Sequence, residues 1–283
     1  MERKRTIGFY LATTWLALCA FMTVFGNMLP FRAYDDYDFD AIGVGLFSPH
    51  HILGTDFDGA DMLAAIIHGT RMSMIISIVS VIGASLIGGA LGILAAYRRG
   101  WVDAAISMYF NITLSIPTLI LVLAMVAVFA SPDPFDPSAG LPRSQVLVLS
   151  LTFVLIPVLG RLARSSALSW TGREFILVAQ AMGLKRRQIM WTHLVPNVIP
   201  AMMSIGFLAA GIVIVVEGGL AILGVGTDPG QSWGSILAKN RGDLSIVPHT
   251  TLIPAACIAL TVMSLNFFGD FFRSKIDGRE SRI

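Results

Sequence analysis

Six stretches of this chain contain no Lys, Arg, Asp or Glu: residues 8–29, 73–96, 104–130, 144–160, 198–216 and 244–268. A helix crosses the hydrocarbon core of a bilayer in roughly 20 residues. The run 144–160 is short for this, and the others are long enough. In that core no water is available to the backbone, so only helices and closed barrels can span it. The runs are continuously apolar rather than alternating, which argues against a barrel. The expected fold is therefore all-α: a polytopic membrane protein with six transmembrane helices. Composition agrees, because only 13% of the residues are charged, where a soluble domain carries about 25%.

An even number of spans puts both termini on one side. Fifteen of the twenty Lys and Arg fall on that side, and only Arg32, Arg71, Arg143, Lys239 and Arg241 fall on the other. Eleven Asp lie with those five, and six acids lie with the termini. Short loops rich in Lys and Arg stay in the cytoplasm, so both termini and the loop after the fourth run are expected there. The chain opens Met1-Glu2-Arg3-Lys4-Arg5 before an apolar run, as a signal peptide does. Residues 7–30 are too long for a signal-peptide core and lack an A-x-A site, so the run reads as a retained signal anchor. Cys19 and Cys257 both fall inside apolar runs and read as small core side chains, not a disulfide. No spacing of Cys and His suggests a metal site.

The organisation expected from these runs is a signal-anchor helix and extracytoplasmic segment over residues 1–72, a transmembrane domain over 73–273, and a tail over 274–283. Within the first, residues 31–71 are polar and rich in Asp and Gly, a larger surface than a connector requires. Residues 131–143 hold four prolines and cannot be helical throughout. Gly88 and Gly92 form a small-xxx-small pattern, which lets helix backbones approach closely in lipid. Pro117, Pro157 and Pro254 lie inside spans and can kink them.

Between the fourth and fifth runs lies a polar stretch, residues 161–197, with a helix expected from Glu174 to Met182. Gly183 breaks it, since glycine reaches positive φ without cost. A second short helix follows and is expected to stop at Val195-Pro196, because the residue before proline avoids the α region. The result is a helix–Gly–helix elbow outside the bilayer. Glu174, Ala179, Gly183, Ile189, His193, Pro196 and Asn197 stand in order within it. In this it resembles the "EAA" coupling loop of ABC importer permeases, with Val178 in place of the first alanine of the usual pair. The resemblance implies that the elbow contacts an ATPase, with Ala179 and Gly183 small enough to seat in a cleft and residues 185–187 at its rim.

The resemblance narrows along the chain. Leu53-Gly54-Thr55-Asp56, Gly59, Asp61 and Gly69-Thr70-Arg71 are similar to the outer segment of dipeptide, oligopeptide and nickel permeases of the "C" type. Gly100-Trp101-Val102-Asp103, Ser115-Ile116-Pro117, Arg161-Leu162-Ala163-Arg164, Leu223-Gly224, Ser232-Trp233-Gly234 and Gly269-Asp270 match further along. Departures are Ala60, where an arginine is usual, and Asp277-Gly278-Arg279, where Asp-Pro-Arg is usual. Such a permease has a type I-like importer fold in the bacterial inner membrane. It works with a second homologous permease subunit, with two cytoplasmic ATPases or one fused ATPase, and with an extracytoplasmic substrate-binding protein. ATP and Mg belong to the ATPases. This chain has no G-x-x-x-x-G-K-[ST] phosphate loop and is expected to hold no cofactor, bind no nucleic acid and catalyse nothing by itself. Its neighbours are lipid and the other subunits. Peptides are the expected substrate, with nickel or a metal chelate as the alternative. An ion-coupled secondary transporter would want midplane acids and an inverted repeat, and an intramembrane enzyme would want ionisable residues in the spans.

One acid does sit at the edge of a span. Glu217 follows Val216 and precedes Gly218-Gly219, where a break in the helix is expected. An acid at that depth is costly unless partnered or placed beside water, which puts it near the outer mouth of a translocation path. It would either receive the amino group of a peptide or pin residues 218–234 by accepting backbone N–H bonds. His50, His51, His68 and His249 read as exposed loop residues.

Overall fold

The computed structural model describes residues 2–28, 36–130 and 140–280. Leu29, the end of the first expected span, lies outside them, as do residues 31–35, most of the Pro-rich turn and residues 281–283. The described chain is helical: α1 Glu2–Phe25, α2 Met62–Arg98, α3 Gly100–Ser115, α4 Thr118–Phe129, α5 Arg143–Thr171, α6 Glu174–Ala181, α7 Arg186–Ile189, α8 Val195–Ile222, α9 Trp233–Asn240 and α10 His249–Glu280. Five of its helical stretches are long and apolar enough to cross a membrane, and the α3–α4 pair makes a sixth, bent by 88°. That bend corrects the expectation of one continuous span over 104–130. Ile116 is extended at φ −88° and ψ 127°, as a residue before proline should be, and Pro117 has no N–H with which to carry the helix through.

Other boundaries move for local reasons. α2 starts at Met62, well before residue 73, because Asp61 caps it: its Oδ1 accepts the Ala64 N–H at 2.9 Å, satisfying one of the free donors of a first turn. α5 continues past residue 160 through Arg161-Leu162-Ala163-Arg164. There Arg164 makes a two-pronged bond to Asp103 of α3 at 2.5 and 2.7 Å, so the polar turns of the helix keep partners. Pro157 and Pro254 lie inside α5 and α10 without ending them. α10 starts at His249, later than the expected 244, and takes the tail in as far as Glu280.

The expected stop at Pro196 does not occur. Residues Met190–Leu194 form a π turn and α8 continues from Val195, which is helical at φ −55° and ψ −49° despite the following proline. In the first turn of a helix a missing N–H costs little, and the wider π turn bonds Val195 N–H to the Met190 carbonyl. Nor does α8 break at Gly218-Gly219. It ends at Ile222, where Val225 N–H returns to the Leu220 carbonyl at 3.0 Å across Gly224.

The chain packs as two compact units. The first comprises Met1–Ile78, Leu123–Val148 and Ala210–Leu265. Its core gathers Cys19, Met62, Ile66, Ile214, Trp233, Ile236 and Cys257, and both cysteines are free thiols. The Trp233 indole N–H donates to the Ile66 carbonyl and its backbone N–H to the Ser73 hydroxyl. The second comprises Val79–Val122, Leu149–Ala209 and Asn266–Ile283. In it α2 crosses α5 at very short range. A Cβ on Gly88 would stand 2.4 Å from the Ile156 carbonyl oxygen, and one on Gly92 would collide with that of Gly160. The small-residue pattern is thus used for packing within the chain. Because the obstacle is backbone, no side chain can swing aside, and Gly88→Leu should cost more than the roughly 1–3 kcal/mol typical of overpacking. The purified protein is expected to lose most of its yield and to melt at lower temperature. Unchanged yield and Tm would mean that the crossing is looser than described.

Candidate functional site

The elbow is built on a three-residue core. Ile176 and Ala179 from α6 and Ile189 from α7 are buried together, with Tyr97 at the end of α2 and Leu184 packed against them. Gly183 makes this possible. It sits at φ +79°, in the left-handed region that closes a Schellman motif, and Leu184 N–H bonds the Ala179 carbonyl at 3.2 Å. The motif characteristically brings the residue after the glycine onto the last apolar turn, which is where Leu184 packs. The seven residues singled out in sequence therefore divide. Ala179, at 7% exposed, and Ile189, at 1%, are interior. Glu174, Gly183 and Pro196 are exposed, and His193 and Asn197 are half-buried. The Asn197 side-chain amide donates to the His193 carbonyl at 2.6 Å, and the His193 ring lies 6.0 Å from that of Phe175.

This corrects the picture of Ala179 seating in a partner's cleft, because its methyl points into the elbow itself. The side chains offered outward are Phe175, Val178 and Met182, the last 74% exposed. At spacings of three and four they share one face of α6 and of its last turn, which Met182 N–H closes on the Val178 carbonyl, and Trp191 on the π turn is exposed as well. Val178 replaces an alanine where a larger side chain meets no elbow core. Arg173 stacks over the Trp170 ring at 4.3 Å to its centre, fixing the end of α5 where the elbow begins.

Glu217 belongs to a different construction. It is 1% exposed and faces protein: Oε1 accepts the Ser232 hydroxyl at 2.6 Å. The Ser232 oxygen accepts in turn from the Thr227 hydroxyl and from the Ser235 N–H, capping α9. The expected backbone N–H partners are thus replaced by one hydroxyl. Gly234 leaves room for the carboxylate, since a Cβ there would fall 2.6 Å from Oε2. α9 is held from its other end by Lys239, whose ammonium lies 2.8 Å from Asp56 and 2.6 Å from Asp58. Burial works against that charge, but the hydrogen bonds that the ammonium donates to the two aspartates, with their negative charge, outweigh it and raise the Lys239 pKa above its ordinary value.

Two of the histidines expected in exposed loops are buried. His51 bonds Asp61 at 2.7 Å through Nδ1 and faces Asp38 at 3.4 Å, and His249 is buried beside the Thr55 carbonyl. Among the described residues no group of three or more His, Cys, Asp or Glu could hold a metal ion.

The sequence model of the family described as "Binding-protein-dependent transport system inner membrane component" matches residues 88–282, a stretch that contains the elbow and Glu217. The chain belongs to this family. Curated members resemble it over most of its length. The dipeptide transport system permease protein DppC of Alkalihalophilus pseudofirmus is 33% identical over 81% of this chain and 72% of its own. The glutathione transport system permease protein GsiD of Pectobacterium atrosepticum is 31% identical over 88% and 79%. The oligopeptide transport system permease protein OppC of Haemophilus influenzae is 27% identical over 95% and 85%. Among solved structures, chains from two crystal forms of the inward-facing MetNI methionine ABC transporter superpose with TM-scores of 0.59 and 0.63, at 20% identity, over 75% of this chain and 97% of theirs. The fold is that of an ABC importer permease, and the protein is a multi-pass membrane component of a binding-protein-dependent transport system.

Proposed function

We propose that this chain is one of two homologous permease subunits of an ATP-driven importer of peptides, coupled through the elbow to ATPase subunits that alone bind ATP and Mg. The observation that carries the reading is the elbow itself. It is a short helix closed by Gly183, packed inward on Ile176, Ala179 and Ile189, and presenting Phe175, Val178 and Met182 outward. An exposed apolar face on a helix outside the spans is what a partner's groove receives. Residues 161–197 are then the coupling segment, with Glu174, His193, Pro196 and Asn197 shaping it and Lys185 and Arg187 at its edge. The Lys and Arg asymmetry supports an orientation with elbow and termini in the cytoplasm. Residues 36–61 and the turn after α8 would then face an extracytoplasmic binding protein. The ATPases are two chains or one fused chain.

Peptides are the preferred cargo because the related permeases named above are called dipeptide, oligopeptide and glutathione transport proteins. The test is uptake in a strain lacking this gene. Labelled dipeptide or longer peptide uptake is expected to fall to background and to return when the gene is restored. Intact peptide uptake with lost nickel uptake would move the chain to the metal branch of the family.

A further inference from the structure

Within the first unit lies a cavity of about 230 Å³, bounded by Arg143 at the start of α5, by Lys239 and Arg241, by Thr227 and Ser235, and by the turn through Gly224 and Gly226. Three cations line it, and no carboxylate does among the described residues. The setting makes that notable. Eleven Asp share this side of the membrane with only five basic residues, and three of the five meet in one hollow.

The cations are not equivalent. Lys239 is committed to Asp56 and Asp58. Among the described residues, Arg241 is held by a bond from Nη1 to the Ile222 carbonyl at the end of α8. That leaves the rest of its fork of five N–H donors. Arg143 and Arg241 are both exposed. Each arginine carries a planar fork that can hold a carboxylate through two N–H bonds, and Thr227 and Ser235 add hydroxyls to a lining that also includes Ala221, Ile222, Pro229 and Ala238. At about 230 Å³ the hollow is smaller than the roughly 300–1,000 Å³ of pockets for drug-sized molecules, and a single carboxylate-bearing side chain fits it.

We infer that this cavity is the socket for an acidic side chain of the substrate-binding protein. Arg143 and Arg241 grip the carboxylate, and Thr227 and Ser235 line the wall behind it. The inference rests on the importer reading and on its orientation. Charge complementarity and size both favour this occupant. A protein surface can deliver one Asp or Glu to a rim, and such rim charges act on encounter and specificity. The wall is also the hub that holds Glu217, because Thr227 and Ser235 both bond Ser232, so an occupied socket presses on the start of α9.

The experiment uses the whole complex in liposomes and reads ATP hydrolysis against the concentration of loaded binding protein. Arg143→Glu and Arg241→Glu are made separately and together, each checked for unchanged Tm. The half-maximal concentration is expected to rise about tenfold or more, with basal hydrolysis unchanged and with weaker salt dependence. An Asp or Glu to Lys change on the binding protein should restore the response of the double variant. An unaltered half-maximal concentration overturns the proposal. A defect that appears only in anionic lipid also does so, since it makes the socket a headgroup site. Normal response to the binding protein, with altered preference between free and amidated peptide ends, overturns it in favour of the cargo's own carboxylate. A wild-type complex that ignores every loaded binding protein sinks the importer reading and the socket with it. A responsive wild type with an equally responsive variant sinks the socket alone.

Discussion

Replacing Gly183 with valine should leave the protein inserted and assembled while transport and substrate-stimulated ATP hydrolysis fall together. The cost arises purely in the backbone. A Cβ at Gly183 meets nothing within 4 Å, so no clash is involved, but φ is +79°. Holding an L-residue there costs roughly 1–2 kcal/mol, and a β-branched side chain is among the poorest tolerated. The elbow has little to set against that cost. α6 has only eight residues, far fewer than the 12–15 or so at which an isolated helix begins to be stable. It is held by the small cluster of Ile176, Ala179 and Ile189. A loss of about 1.4 kcal/mol depopulates the closed elbow tenfold. Gly183→Asn, which tolerates the left-handed region, should keep much of the activity, and Gly183→Ala should fall between. Normal transport by the valine variant at normal expression would remove the elbow from the coupling route.

How much of this was legible in the sequence varies with the kind of signal. Charge-free runs announced the helices, because the bilayer forbids alternatives. The boundaries were hidden wherever a partner far along the chain decides them. Arg161 and Arg164 look like the end of a span until Asp103 and Asn111 are seen to receive them. His68 and Arg71 look like loop residues until Asp61 is seen to cap a helix that carries them. Pro196 was misread because a rule about the residue before proline is only a preference, and a π turn absorbs it. Gly183 was read correctly because its requirement is local. Ala179 was assigned to the right element and the wrong face: small size suits a cleft or a tight interior equally well, and only packing tells them apart. Phe175, Val178 and Met182 carried their periodicity openly. The grip of Asp56 and Asp58 on Lys239 joins residues too distant in sequence for any motif to reveal.

Glu217→Ala should abolish most transport while the subunit still assembles, and Glu217→Gln should transport at near-normal rates. The carboxylate is buried and accepts the hydroxyl of Ser232, the N-cap of α9. It therefore lies at the positive end of that helix, which favours negative charge by about 0.3–2 kcal/mol. Its other oxygen has no hydrogen-bond partner among the described residues. Alanine strands the Ser232 hydroxyl and opens a hole beside Gly234, and a buried polar group left unsatisfied costs about 1–3 kcal/mol. The start of α9, Trp233 included, is then free to lift. Amide exchange in α9 should accelerate by roughly tenfold or more, since 1.4 kcal/mol is a factor of ten, and Trp233 emission should shift. Glutamine keeps the acceptor for Ser232 and loses only the interaction with the helix end, so its exchange rates should stay close to wild type. Transport lost in the glutamine variant, with α9 still protected, would mean that the charge itself acts on the cargo. Transport kept in the alanine variant would mean that α9 does not need this anchor at all.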